Sequence, residues 1–265
     1  MPVLPGLAWT FDTAAADYDR YRPGYDAALF RMIFDAAAPG TGSRAVEIGI
    51  GSGQATLPFL QTGCSVLAVE QGAALSEICR RKFAGYPQFS VVTGRFEHLP
   101  FPDDAFDLVY SATAFHWIPE QAGYKKVFAM LRHGGIFARF ANHPYPGRDN
   151  PALARALDRL YAEYYAPYYH RPHRSPAEFT EAQAADIANL AAKYGFCGIR
   201  YALFHRTRTF SAEEYCALLG TYSDHIAMDA PVREAFFAQI RQAIRAHGGT
   251  LTISDTMDLE LAAKP

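Results

Sequence analysis

Cysteine is scarce in this sequence: four among 265 residues, Cys64, Cys79, Cys197 and Cys216, lie far apart without a C-x-x-C pair. That excludes a disulfide-rich scaffold and points to reduced thiols in a cytoplasmic protein. Positive charge is not in excess either, because 25 Lys+Arg stand against 27 Asp+Glu, a formal net charge of −2. Binding along a phosphate backbone needs a basic surface that releases counterions, so no nucleic-acid partner is expected. Apolar runs are strand-sized and broken by charges, well short of the roughly 18 residues of a membrane-spanning helix. No membrane partner, cleavable leader, internal repeat or low-complexity tract is expected. What is present is a chain 50% hydrophobic, 20% charged and 14% aromatic, with 16 Tyr and 19 Phe. This is the composition of a globular protein able to bury one large core, or a core with a smaller cap.

Short β-branched runs alternate with helical patterns between residues 43 and 140, the signature of βαβ units. The strands read as 45–48, 65–70, 89–92, 106–110 and 136–140, and the helices as 54–61, 73–83 and 124–131, the last closed by Gly134-Gly135. An Ala-rich helix at 25–38 precedes this block. Residues 142–174 are rich in Pro, Tyr and His and lack strand patterning. Their helix from Pro151 carries Leu153, Leu157, Leu160, Tyr161, Tyr164 and Tyr165 at helical spacing. Two further strands, 199–210 and 251–262, bracket a helix from Ser211 and one at 231–247, which suggests an antiparallel pair added to one sheet edge. The expected organisation is a helical lid segment at 1–42, a cofactor-binding core at 43–141, a Tyr-rich helical cap at 142–198, and strands completing the sheet at 199–265.

The most informative stretch is Val46-Glu47-Ile48-Gly49-Ile50-Gly51-Ser52-Gly53-Gln54-Ala55-Thr56. A strand enters three alternating glycines and then a helix, so backbone amides can approach a ligand closely. The dinucleotide fingerprint G-x-G-x-x-G/A fails in both registers, because Gln54 or Thr56 occupies its last position. A loop that holds a nucleoside without a pyrophosphate fits better, with a turn that needs glycine for packing as the plain alternative. Glu47 can meet a cationic group of the ligand. Glu70, ending the second strand about 20 residues on, can accept both ribose hydroxyls.

These residues resemble the class I S-adenosylmethionine-dependent methyltransferases, in particular the small-molecule subgroup with the type 11 pattern. The resemblance runs over E-I-G-I-G-S-G at 47–53, A-V-E-Q at 68–71, G-R-F-E-H-L-P-F at 94–101, F-D-L-V-Y-S-A-T-A-F-H-W at 106–117 and L-R-H-G-G at 131–135. It implies an α/β Rossmann-like three-layer sandwich, with a seven-stranded, mostly parallel sheet, an antiparallel edge strand and a helical cap. It implies S-adenosylmethionine as cofactor and S-adenosylhomocysteine as product. Gly49, Gly51 and Gly53 would pack against its methionine and ribose part, Glu70 would bind the ribose, and Gln71 would follow along the adenine. Arg95 and Phe96 stand where many relatives have Asp and a small residue. A guanidinium cannot accept from the adenine amino group, so that contact falls to the Phe96 backbone or to Glu97. Ser111 and Ala112 would face the sulfonium end.

Methyl transfer from a sulfonium requires positioning and exclusion of water, so no catalytic triad is expected. His116, just past the fourth strand, is the candidate base, with a positioning role as the alternative. The residues after that strand lack the acidic metal ligands of the catechol type, and His170-x-x-His173 has no matching pair, so no metal is expected. Tyr18, Tyr21, Arg22, Trp117, Tyr165 and Tyr222 are candidates to line a lid over a small-molecule acceptor, with plain packing as the alternative for the tyrosines. A nicotinamide-dependent oxidoreductase and a non-catalytic nucleoside-binding protein of the same fold remain as competing readings.

Overall fold

The computed structural model describes Leu7 and residues 10–265. Its seven strands are β1 (Arg44–Ile48), β2 (Ser65–Glu70), β3 (Phe89–Thr93), β4 (Phe106–Ala112), β5 (Leu131–Tyr145), β6 (Cys197–Ser211) and β7 (Thr250–Ala263). They form one sheet in the order β3-β2-β1-β4-β5-β7-β6. The pairs β1–β2, β1–β4, β2–β3 and β4–β5 are parallel. β7 reverses direction: Gly134 N–H donates to Lys264 O and Lys264 N–H to Gly135 O, both at 2.9 Å. It then meets β6 antiparallel, with Thr209 opposite Thr252 and His205 near Thr256. The expected mixed sheet with an antiparallel edge is therefore present. Its order reverses between β1 and β4, the point at which open α/β sheets bind ligands beyond their carboxyl ends.

The helices are α1 (Thr10–Thr13), α2 (Ala15–Tyr21), α3 (Ala27–Ala37), α4 (Thr56–Gln61), α5 (Ala73–Lys82), α6 (Glu120–Met130), α7 (Pro151–Leu160), α8 (Ala166–Tyr168), α9 (Glu181–Asn189), α10 (Ala212–Leu219), α11 (Ser223–Ile226) and α12 (Ala230–Ala246). Several boundaries differ from the sequence reading, including both ends of β5. Gly53 adopts φ +83°, outside helical space, so α4 begins at Thr56 rather than 54. α6 starts after Pro119 and stops at Met130, because Leu131 is already extended and begins β5. Gly134-Gly135 therefore lies within a strand rather than closing a helix. α7 does not simply continue through its tyrosines: Tyr161–Tyr165 widen into a π-helical turn.

The chain divides into two compact units. One comprises the described residues of Met1–Arg22 with His143–Glu178 and His205–Thr256, and the other Pro23–Asn142, Phe179–Phe204 and Met257–Pro265. In the second unit, the twofold period of strands sorts side chains into two clusters. Ala45, Leu108 and Tyr110 point into one, and Val46, Ile48 and Val109 into the other. Phe106 joins Val109 rather than Leu108 because the β4–β5 register shifts between Phe106 and Leu108. The first unit packs Leu153 and Leu157 of α7, Tyr215 and Leu219 of α10, and Phe236, Ile240 and Ile244 of α12 around Leu251 and Ile253. The α12 residues recur every four positions, the stripe expected of an amphipathic helix. α10 is started by a capping box between Ser211 and Glu214.

Candidate active site

The turn after β1 is built on left-handed glycines, with φ of +71° at Gly49, +58° at Gly51 and +83° at Gly53. A Cβ on Gly49 would lie 2.4 Å from Ala114 Cβ, and one on Gly53 would lie 2.5 Å from the Phe83 ring. Both conformation and space therefore require glycine at these two positions. The amides of Gly49 and Ile50 donate to Val69 O at 2.9 and 3.1 Å, which holds the turn against the end of β2.

Glu70 completes that junction. Its Oε2 accepts from Gly51 N–H and its Oε1 from Gly72 N–H, each at 2.9 Å. A carboxylate offers about four acceptor sites, so these two bonds do not exhaust it. Glu47 lies beneath the loop, with its Oε2 accepting from Thr56 Oγ1 at 2.7 Å and from the Tyr110 hydroxyl at 2.9 Å. Its Oε1 is buried without a hydrogen-bond partner. Burial pushes the Glu47 carboxyl up to about 7, against the two bonds that favour its ionised form, and the nearby Glu70 charge adds to the rise.

β4 supplies the opposite wall. Ser111 is fully buried and donates to Ile48 O at 2.9 Å, tying β4 to β1, and Ala112 is half-buried at the strand end. Next comes a residue that pattern reading passed over. Thr113 has φ +54°, an uncommon value for a β-branched side chain. Its hydroxyl lies 2.7 Å from the Tyr25 hydroxyl and accepts from Asn142 N–H at 3.2 Å, while its own N–H donates to Phe140 O at 2.7 Å. Tyr25 stacks edge-on against Phe140 at 4.9 Å. Tyr25 could have been noticed as the aromatic two residues after Tyr21-Arg22-Pro23, but no sequence signal marks the Thr113 backbone.

After β3, Phe96 is buried and tilts against Phe101 at 5.6 Å. Arg95 holds Glu97 Oε1 at 2.7 Å, so the Glu97 carboxylate already has a cationic partner. Gln71 is exposed at the end of β2. His116 is exposed in a one-turn 3-10 helix over Phe115–Trp117, with its ring 5.4 Å from that of Trp117.

The other lid candidates lie in the first unit and form an aromatic cluster there. Arg22 sits over the rings of Tyr222 at 4.2 Å and Tyr18 at 4.9 Å, and donates to Thr221 O at 2.7 Å. Tyr21 instead lies under Arg20 at 5.3 Å. Tyr165 donates to Asp224 Oδ2 at 2.8 Å, and its ring lies 5.6 Å from that of His225, which Tyr222 approaches to 6.0 Å. His173 is bonded to Asp158 at 2.8 Å. Among the described residues, no group of three or more His, Cys, Asp or Glu is arranged to hold a metal, and no helix is long and apolar enough to cross a membrane.

Residues 46–138 match the family model described as a methyltransferase domain. An uncharacterized methyltransferase of Schizosaccharomyces pombe is 24% identical over 237 residues, 89% of this chain and 87% of that protein. The match to uncharacterized mycobacterial methyltransferases spans about half the length of either protein. Among solved structures, a putative type II methyltransferase from Anaeromyxobacter dehalogenans superposes with a TM-score of 0.63 at 22% identity, covering 92% of this chain and 98% of the other. Phosphoethanolamine N-methyltransferase 2 of Haemonchus contortus, solved with phosphomonomethylethanolamine and S-adenosylhomocysteine, superposes with a TM-score of 0.57 at 13% identity, covering 100% of this chain and 61% of the other. Residues 46–138 thus match a methyltransferase domain, and the chain shares the fold of these solved methyltransferase structures.

Proposed function

We propose that this chain transfers a methyl group from S-adenosylmethionine to a small-molecule acceptor. The observation that carries the reading is Glu70, whose carboxylate is held by the amides of Gly51 and Gly72 at the mouth of the glycine turn. The residues present fit the cofactor. Glu70 suits a ribose diol, and the buried, unpartnered Glu47 Oε1 suits an ammonium group. When bound, S-adenosylmethionine supplies a methyl group on a sulfonium, whose departure needs no proton.

The chain's own residues therefore bind, align and exclude water. Ser111 and Thr113 fix the end of β4 against β1 and β5, which holds the wall past which the acceptor would approach. With Glu97 engaged by Arg95, the Phe96 backbone is the better candidate for the adenine edge. His116 stands beyond that wall as the candidate to take a proton from the acceptor or to orient it. The near-neutral charge balance supports a small molecule over a nucleic acid.

Thermal shift with S-adenosylhomocysteine and with NADH tests the cofactor, and stabilisation by NADH alone would overturn the reading. Transfer of labelled methyl from S-adenosylmethionine to an acceptor panel tests the activity. His116→Ala should keep S-adenosylhomocysteine affinity and lower turnover about 10²-fold if His116 is the base. Unchanged turnover would remove it from the mechanism.

A further inference from the structure

We propose that Lys126 of α6 is a positioning residue for the cofactor's adenine, because it fixes the loop after β3 whose Phe96 backbone is the candidate for the adenine edge. This role rests on the cofactor reading and adds to it a residue outside the glycine turn and its two acids. All of the groups involved lie in the second unit. The loop leaves β3 at Thr93 and makes one 3-10 turn over Phe96–His98. Its front is tied to the backbone of Glu70, the acid suited to the ribose, since Gly94 N–H donates to Glu70 O at 2.8 Å. Its back is tied to α6. Lys126 Nζ donates to Phe96 O at 2.7 Å and also to Leu99 O, the carbonyls of the first residue of the turn and of the one just past it. The same ammonium lies 5.1 Å from the ring centre of Phe96 and 5.2 Å from that of Phe101.

An ammonium carries three N–H donors and no acceptor, and a lysine on a helix surface ordinarily keeps that head in water. Lys126 is half-buried and spends its ammonium on main-chain carbonyls of one loop, while Glu97, the acid of that loop, is held by Arg95. It therefore acts on backbone geometry. Phe96 is gripped at its carbonyl and at its buried ring, and fixing both of these fixes the Cα frame from which its N–H projects. A loop already ordered does not have to be ordered by the ligand, so the strength of an adenine contact made there depends on Lys126. A backbone N–H can only donate. Its partner on the edge of adenine that carries the amino group is the ring nitrogen N1.

Calorimetric titration of the full chain with S-adenosylhomocysteine and with its 1-deaza analogue, in which N1 is replaced by C–H, provides the test. The wild type should bind the analogue about tenfold more weakly than S-adenosylhomocysteine. Lys126→Met keeps an apolar stem against the two rings but donates nothing, so it should bind S-adenosylhomocysteine about tenfold more weakly than the wild type and the analogue equally well. Lys126→Arg retains charge and donors and should bind S-adenosylhomocysteine within about threefold of the wild type. A lysine that only stabilised the fold would weaken both ligands alike. Equal weakening of both ligands in Lys126→Met, undiminished S-adenosylhomocysteine affinity in that variant, an arginine variant as weak as the methionine one, or equal wild-type affinity for the two ligands would each overturn the assignment and leave the cofactor reading standing. Failure of the wild type to bind S-adenosylhomocysteine would overturn the cofactor reading and the assignment with it.

Discussion

Glu70 has both carboxylate oxygens bonded to backbone amides, whereas Glu47 has one oxygen bonded to two hydroxyls and the other buried alone. The two acids therefore respond differently to substitution. On the proposed reading, Glu70→Ala removes the acceptor of the ribose diol as well as the tether of Gly51, and should weaken S-adenosylhomocysteine binding by about 10²-fold in calorimetric titration. Glu47 acts through its proton. Its carboxyl is pushed up to about 7 from 4.5, so the folded protein holds the proton more tightly than the unfolded chain does. The stability this provides is complete below pH 4.5 and is lost as pH rises through 7. At pH 8, Glu47→Gln should therefore stabilise the ligand-free protein by about 3 kcal/mol, with little effect at pH 4.5. A cation placed beside Glu47 should reverse the preference, so S-adenosylmethionine should release a proton on binding near pH 6.5. Titrations in buffers of different ionisation enthalpy should detect this proton, and Glu47→Gln should abolish it.

The β1–α4 turn joins local conformation to ligand approach. Gly49→Ala would combine an unfavourable φ of +71° with a Cβ 2.4 Å from Ala114, and Ala114 is fixed by the 3-10 turn that follows β4. The expected cost is about 2–4 kcal/mol in denaturant unfolding, with loss of S-adenosylhomocysteine binding. At this scale the sequence was most readable. β1 to β4 are short β-branched runs between breakers, and their glycine turn has a spacing that few backbones tolerate. Helix and strand lengths were less readable where tertiary pairing overrides local pattern. Leu131 enters β5 because it pairs with Phe106, and the tyrosines of 161–165 form a π-helical turn among the partners that His225, Asp224 and Phe236 provide. Within the site, Glu47 and Glu70 were legible because their positions along the motif reveal their place. Thr113 was not, because nothing in a threonine announces a left-handed backbone.

Each compact unit is assembled from three separated stretches of chain, so contacts between stretches must hold it together. In the first unit, Asp224 does much of this. It accepts from His225 Nδ1 at 2.9 Å and from Tyr165 at 2.8 Å, while Tyr161 lies 3.0 Å from His225 Nε2, which links the segment after β5 to α11. Burial opposes ionisation of Asp224, but the adjacent His225 and the hydrogen bonds from His225 and Tyr165 hold its carboxyl well below the usual range. A depressed folded value contributes stability above the ordinary value of 3.8, and that stability is lost as pH falls below it. Asp224→Ala leaves His225 buried beside the phenols without its acceptor, so the loss at pH 7 should be about 3 kcal/mol. Calorimetric unfolding from pH 7 down to pH 2 separates this electrostatic contribution from lost packing. If the charge carries the effect, the deficit of Asp224→Ala should stay constant down to about pH 4 and then narrow by about 1.4 kcal/mol per pH unit as the wild-type carboxylate approaches protonation. A deficit that stays constant to pH 2 would mean that Asp224 holds the unit together by shape alone.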